Sequence, residues 1–425
     1  AAHLPATLFA RAVPTRAELD AARATAEVLR NRMIAWQEEV DWQVYRYYGV
    51  WDEDLGHDGE PPEVRVGERA FEIVLAQDCA AGETTTTWFE RHGAERITAV
   101  PDRWPADYRA RVEQRMAAIR RSRDLALIER PECKRRWSRA DWATLERAAL
   151  ESWLLDRLEA EDLWPRDAEP APALRSVREL GDALADDAEF RRALDLYAGS
   201  GGDAHATLAA LVNPASVPYL DALRYSDSGR RKRAVWQAVW QAQRREDAID
   251  AEVARQLAGA PPDALAAEQK RRKAAEVGDI PVPPKYRQED FREGAFWKLR
   301  GPLDVPKERF VSFPGLERPG DPGSPMLLWA GYDARGRALA LAGRIYDIHR
   351  SEGSDPVRLA PALAGLDELL PWVHQWHAEI DPDLGMSSGD YLQGLLDAQL
   401  SQLGLALADV RAWTPPAPPR RRRRG

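Results

Sequence analysis

Arg230, Arg231, Lys232 and Arg233 form an unbroken run of four cations in "SGRRKRAVWQAVWQAQRRED", where Val235, Trp236, Val239 and Trp240 recur at helical spacing. With Ser228 as the expected N-cap, the run occupies the first turn and a half of a helix. The helix macrodipole disfavours cations there and favours anions. An anion opposite the run removes the conflict. DNA phosphates are one source; the stretch 141–203, with sixteen Asp and Glu against seven Arg and Lys, is another. A second cluster, Lys134, Arg135 and Arg136, stands beside Trp137 in a stretch, 103–136, that holds eleven bases and five acids. Cations that neutralise phosphates beside a Trp that stacks on a base are the chemistry such clusters offer. These seven residues are the nucleic-acid-binding candidates. Trp236 and Trp240 lie on an apolar stripe and are expected in the core.

Other constellations carry less. "WVHQWHAEID" puts His374 and His377 three apart on one helix, followed by Glu379 and Asp381. A catalytic zinc wants a third ligand and usually a different spacing, so no metal is assigned; a small hydrolase using His374, His377 and Glu379 is the poorest of three functional classes. "LYAGSGGDAH" follows a helix rather than a strand and reads as a turn, not a cofactor loop. "NPAS" (213–216) begins like the tetrapeptide of amino-methyltransferases, but Ala215 and Ser216 cannot stack on a flipped base. "TTWFERHG" offers Glu90, Arg91 and His92 without a nucleophile. No catalytic residue and no cofactor site is assigned to this chain.

The chain has 425 residues and a formal net charge of −9, so any nucleic-acid role must be local. Of 60 basic residues only seven are Lys, and Asn occurs only at Asn31 and Asn213. That is the usage of GC-rich coding and a bland source of Arg clusters. Two cysteines, Cys79 and Cys133, make no disulfide framework and point to a reducing, cytoplasmic setting. No membrane-spanning run or signal peptide is visible. The first residue is Ala, and the chain is expected to be a fragment of something longer.

These candidates need elements to position them. Thr15 and Glu18 form a capping-box pattern, and Gly49 is a stop, so 14–48 reads as one long helix. Leu19, Ala22, Ala26, Leu29, Met33, Trp36 and Val40 alternate spacings of three and four along it, a stripe suited to a partner surface or its own domain. "RAFEIVLA" and "ETTTTWF" predict a small sheet. Helices are predicted at 105–124, 141–160 and 174–197, and after the basic run near 335–351, 361–380 and 389–403, with "MLLWAGYD" as a strand. Residues 250–276 read as a mobile insertion and 279–325 as an extended wrap. The fold class is mostly α with small β elements (α+β): multi-helix, in two lobes that meet near 165–205, with a long N-terminal helix. The expected domains are a linking helix (1–50), a small α+β lobe (51–165), a mainly helical lobe (166–414) and a disordered basic tail (415–425).

"EEVDWQVYRYYGV" resembles a helix end found late in large single-chain restriction–modification enzymes of the adenine methyltransferase type. "GERAFEIVLA", "ETTTTWFERHG", "LIERPECKRRW", "SVPYLDALRY", "SGRRKRAVW", "GDIPVPPKY", "FWKLRGPLDVPKERFVSFPG", "LLPWVHQWHAEIDP" and "GDYLQGLLD" follow in order. Together they resemble the C-terminal half of the PglX family, the adenine-specific DNA methyltransferases of type 2 BREX (phage growth limitation) defence systems. The resemblance covers nearly the whole chain, with 250–276 standing as an insertion. It implies that the full-length protein moves a methyl group from S-adenosylmethionine to adenine N6 in DNA. The family's cofactor glycine motif and its Asn-Pro-Pro-aromatic motif have no matching positions here. The implied partners are therefore DNA, a missing methyltransferase core of the same polypeptide, and other BREX components. The implied role is DNA engagement or docking rather than chemistry; a protein–protein scaffold without DNA contact is the alternative.

Overall fold

The computed structural model describes residues 2–137, 140–166, 169–199 and 201–414. The predicted tail, 415–425, lies outside the described residues. The chain is mostly α with small β elements. It divides into two compact units, Ala1–Trp153 and Leu154–Gly425. Among the described residues, no helix is long and apolar enough to cross a membrane.

The first unit is built on the Arg16–Tyr47 helix, which starts at the predicted capping box. The Glu18 carboxylate accepts from the Thr15 backbone N–H at 2.7 Å, and the Thr15 hydroxyl accepts in return from the Glu18 N–H. The predicted stripe and the buried face agree only at Leu19 and Ala22. Further on, Ile34, Ala35, Glu38, Glu39 and Trp42 turn inward, while Leu29, Met33, Trp36 and Val40 are exposed. The pattern misleads because the core-facing side carries two carboxylates. Glu39 pairs with Arg115 at 2.5 Å, and both are buried; Glu38 accepts from the Ala70 N–H at 3.3 Å. Buried charges persist where they are paired and hydrogen-bonded.

The small sheet predicted from "RAFEIVLA" and "ETTTTWF" is absent among the described residues; the helices Ala70–Ala80 and Trp88–His92 stand there. β-Branched content was outweighed by a local polar anchor. Glu72, fully buried, accepts from the backbone N–H groups of Gly67 and Arg69, from the Arg69 guanidinium and from the Trp88 indole. That clamp fixes the helix start, and Phe71, Ile73, Val74 and Ala76 fill the core around it. The predicted helix at 105–124 is present as Ala106–Arg121, and it supplies Arg115.

The second unit carries a four-stranded sheet in the order Arg175–Ser176, Met326–Trp329, Phe310–Ser312, Ser216–Pro218. The first two junctions are antiparallel and the last is parallel. "MLLWAGYD" supplies a central strand, and its Met326, Leu327 and Leu328 are buried. The helices Ala334–Glu352, Pro356–Trp376 and Ser388–Leu403 pack on one another. The single helix predicted at 174–197 is two, Val177–Ala183 and Ala188–Ala198, because Asp187 caps the second through the N–H groups of Glu189 and Phe190. The segment predicted as a mobile insertion is ordered. It completes a hairpin of the helices Asp227–Gln256 and Pro262–Glu276, held by Arg272 to Glu252 and Glu276 and by Lys273 to Asp250.

Candidate nucleic-acid interface

The Asp227–Gln256 helix is capped by Ser226 rather than Ser228. The Ser226 hydroxyl accepts from the Gly229 N–H and donates to the Glu289 carbonyl at 2.8 Å, and its own N–H donates to the Asp290 carbonyl at 2.9 Å. Gly229 is obligatory here: a Cβ would run into the Asp290 carbonyl oxygen. The cap shift places Asp227, an acid, in the first turn and moves the cations into the second, which relieves the dipole conflict.

Helical periodicity then splits the run in two. Lys232 and Arg233 turn inward. The Lys232 ammonium lies 2.5 Å from the Asp290 carboxylate and donates to the Lys285 carbonyl. The Arg233 guanidinium lies 2.8 Å from Asp221 and 3.9 Å from Asp304, and stacks over Trp240 at 4.6 Å. Burial would raise the Asp290 pKa, but donors from Lys232, the Arg287 backbone and Ser228 outweigh it and hold the carboxyl below its usual range. The anions opposite these two cations are thus Asp221, Asp290 and Asp304, not the acids of 141–203. Arg230 and Arg231 are exposed and enter no ion pair among the described residues. They line an open groove of about 1060 Å³ together with Arg244 and Arg411, and with the acids Asp221, Asp227, Asp367 and Glu368, of which Asp367 pairs with Arg411. Trp236 is half-buried, its indole donating to the Pro284 carbonyl at 2.9 Å, and Trp240 packs edge-on against Trp372.

The other basic cluster divides similarly. Lys134 is buried, with its ammonium 2.8 Å from Glu129, 2.6 Å from Asp41 and 3.2 Å from the Tyr45 hydroxyl. Its charge is satisfied inside the unit, and those carboxylates raise its pKa against the desolvation that would lower it. Arg135 and Arg136 are exposed; the Arg135 guanidinium stacks on Trp137 at 4.3 Å. Trp137 itself is buried. Of the seven candidates, four present their charge outward: Arg135 and Arg136 in the first unit, Arg230 and Arg231 in the second.

The histidines diverge. His374 lies 4.0 Å from Asp390, and His377, just past the end of the Pro356–Trp376 helix, lies 3.3 Å from Asp333. Among the described residues, no group of three or more His, Cys, Asp or Glu side chains could hold a metal ion. Gly199, Gly201 and Gly202 lie between two helices, so the strand-to-helix geometry of a cofactor loop is not met there. Asn213–Ala215 is a 3-10 turn leading into a strand.

Sequence reasoning missed the acids that organise the site. Asp221, Asp290, Asp304 and Glu368 come from four separate segments, and nothing in their local spacing marks them. The available signal was the capping geometry: a serine two residues earlier, followed by Asp227, suits a helix start better than Ser228 followed by four cations.

The second unit is helix-rich, and Lys232 and Arg233 of its basic run are paired within the fold. The chain belongs to the family described as "Domain of unknown function (DUF7008)", whose model matches residues 33–424. Over 428 aligned positions, covering the whole chain, it is 44% identical to the C-terminal 33% of "Adenine-specific methyltransferase PglX" of Streptomyces coelicolor. The resemblance drawn from the sequence blocks therefore holds. The chain spans about a third of the length of that curated relative. No solved structure matches it.

Proposed function

We propose that this chain is the accessory, non-catalytic region of an adenine-specific DNA methyltransferase acting in phage defence, and that it engages DNA through Arg230 and Arg231. The carrying observation is the division of the 230–233 run. Two cations are neutralised by acids of the same unit, while the two beside them have no ion-pair partner among the described residues and lie on an open groove. Holding exposed guanidinium groups beside one another costs electrostatic energy that a phosphate backbone returns. The likeness to a protein named as an adenine-specific methyltransferase supplies the class of polyanion. In this reading S-adenosylmethionine and the adenine pocket belong to the rest of the polypeptide, since neither motif that would hold them has matching positions here.

The second reading is docking, and a specific observation favours it. Leu29, Met33, Trp36, Val40, Val44 and Tyr47 form a continuous exposed apolar stripe on the Arg16–Tyr47 helix. Solvent-facing helix surfaces rarely carry such a stripe without a partner. We assign it to the methyltransferase core, with other defence components as alternative occupants. DNA binding by the 425-residue chain that weakens steeply with salt, without methyl transfer from labelled S-adenosylmethionine to DNA, is the result expected. Salt-independent binding or none would favour the scaffold reading, and methyl incorporation into adenine would overturn the non-catalytic assignment.

A further inference from the structure

Where Arg233, Trp236 and Trp240 of the Asp227–Gln256 helix turn inward lies a second cavity of about 450 Å³, within the range of small-molecule sites. Its wall holds the aromatic rings of Tyr219, Trp236, Trp240, Tyr286, Tyr332 and Trp372. Gly365 also lines it, where a Cβ would collide with the Tyr219 ring; the glycine lets that ring lie flat against the Pro356–Trp376 helix.

The cavity also holds four guanidinium groups, Arg224, Arg233, Arg300 and Arg337. Three are neutralised: Arg233 by Asp221, Arg300 by Glu308 and Asp304, and Arg224 by Asp221 and Asp304. Arg337 is different. Its Nε and one Nη donate to the backbone carbonyls of Tyr332 and Ala330, both at 2.8 Å, and it enters no ion pair among the described residues. The acids that act on it through space are already engaged: Glu308 pairs with Arg300, and Asp333 caps the Ala334–Glu352 helix and pairs with His377. Arg337 is thus fixed by neutral groups, with one arm of its fork left over. Burial, with the nearby Arg224, pushes its pKa down against the opposing pull of Glu308 and Asp333. Glu368, also on the wall, does not supply one. Desolvation and the nearby Asp221, against the opposing pull of Arg224 and Arg233, push its carboxyl up to about 8.

Aromatic faces stack on planar rings, and a fixed guanidinium with no ion-pair partner among the described residues takes a phosphate. We propose that this cavity binds a nucleotide, its base against the tryptophan and tyrosine rings and its phosphate on Arg337. The same chemistry is presented by a free mononucleotide and by a nucleotide turned out of a DNA strand. The proposal does not require Arg230 and Arg231 to bind DNA.

The test is calorimetric titration of the 425-residue chain with dAMP, with 2′-deoxyadenosine, and with inorganic phosphate. A parallel fluorescence titration uses a duplex carrying 2-aminopurine, whose emission rises when the base unstacks. Two variants are compared: Arg337→Gln, and Leu303→Trp, which fills the cavity from a half-exposed lining position and leaves the arginines untouched. Tenfold or greater weakening of dAMP binding in both variants, with deoxyadenosine and phosphate each binding at least tenfold more weakly than dAMP, supports the proposal with a free nucleotide as ligand. No dAMP binding, but a 2-aminopurine rise that both variants abolish, supports it with an extruded nucleotide. Absence of both signals, or signals that survive in both variants, overturns it. Because the readout is independent of the salt dependence assigned to Arg230 and Arg231, failure here and failure of the DNA reading are separable.

Discussion

The Lys232 ammonium and the Asp290 carboxylate lie 2.5 Å apart, on a helix and a loop that also meet through backbone. Asp290 accepts from the Ser226 N–H through its carbonyl and from Ser228 through its side chain, and Gly229 admits the close approach. This clamp and the Arg233–Asp221 pair together convert half of a conspicuous basic run into structure. Replacing Gly229 by Ala should force the loop off the helix and destabilise the second unit by about 1–3 kcal/mol, the usual cost of overpacking. Urea denaturation measures it; unchanged stability would mean the loop is held elsewhere.

Lys134 joins Glu129 and Asp41 inside the first unit. Removing one partner from a buried ionic cluster leaves an uncompensated charge, at a cost of about 3–5 kcal/mol. Lys134→Met should destabilise the first unit by that order without changing the salt dependence of DNA binding. An effect on DNA binding with no loss of stability would return Lys134 to the nucleic-acid face.

Burial and the neighbouring Asp221 push the Glu368 carboxyl up to about 8 from an ordinary value of 4.5. Between those values the unfolded chain binds fewer protons than the folded one, so stability should fall as pH rises from about 4.5 to about 8 and then level off. Glu368→Gln keeps an acceptor for the Asp221 N–H and removes the titration. The variant should lose that component of the slope and exceed the parent in stability at pH 8. Parallel pH profiles would show that Glu368 is ionised in the fold.

The Pro262–Glu276 helix has no buried residue among those described, and ion pairs from Arg245, Arg272 and Lys273 hold it to its neighbour. Exposed pairs are weak and screened by salt. Amide exchange across 262–276 should accelerate in 1 M salt relative to low salt, while the buried helix Pro356–Trp376 is unaffected. Equal protection in both conditions would point to packing rather than charge.

How much of this was legible follows from where the information sits. The Arg16–Tyr47 helix announced itself through Thr15 and Glu18, because a capping box is a local signal. The Ala70–Ala80 helix did not, because the group that anchors it, buried Glu72, draws a donor from Trp88 sixteen residues on. The exposed stripe was visible as a pattern from Leu29 to Val40, though not its continuation through Val44 and Tyr47, and its exposure depends on buried Glu38 and Glu39 taking the inward face. Four adjacent cations were obvious at 230–233; which two were spoken for depended on Asp221 and Asp290, brought in by other segments.

The central claim is that Arg230 and Arg231, and not their neighbours, meet DNA. The direct measurement is the salt dependence of duplex binding by the Arg230→Gln/Arg231→Gln variant against the parent chain. Each lost phosphate contact should reduce the log–log slope by about 0.9, so the pair should flatten it by roughly 2 units, with the thermal midpoint unchanged. Binding of unaltered affinity and slope, or a variant that loses stability instead, would contradict the account.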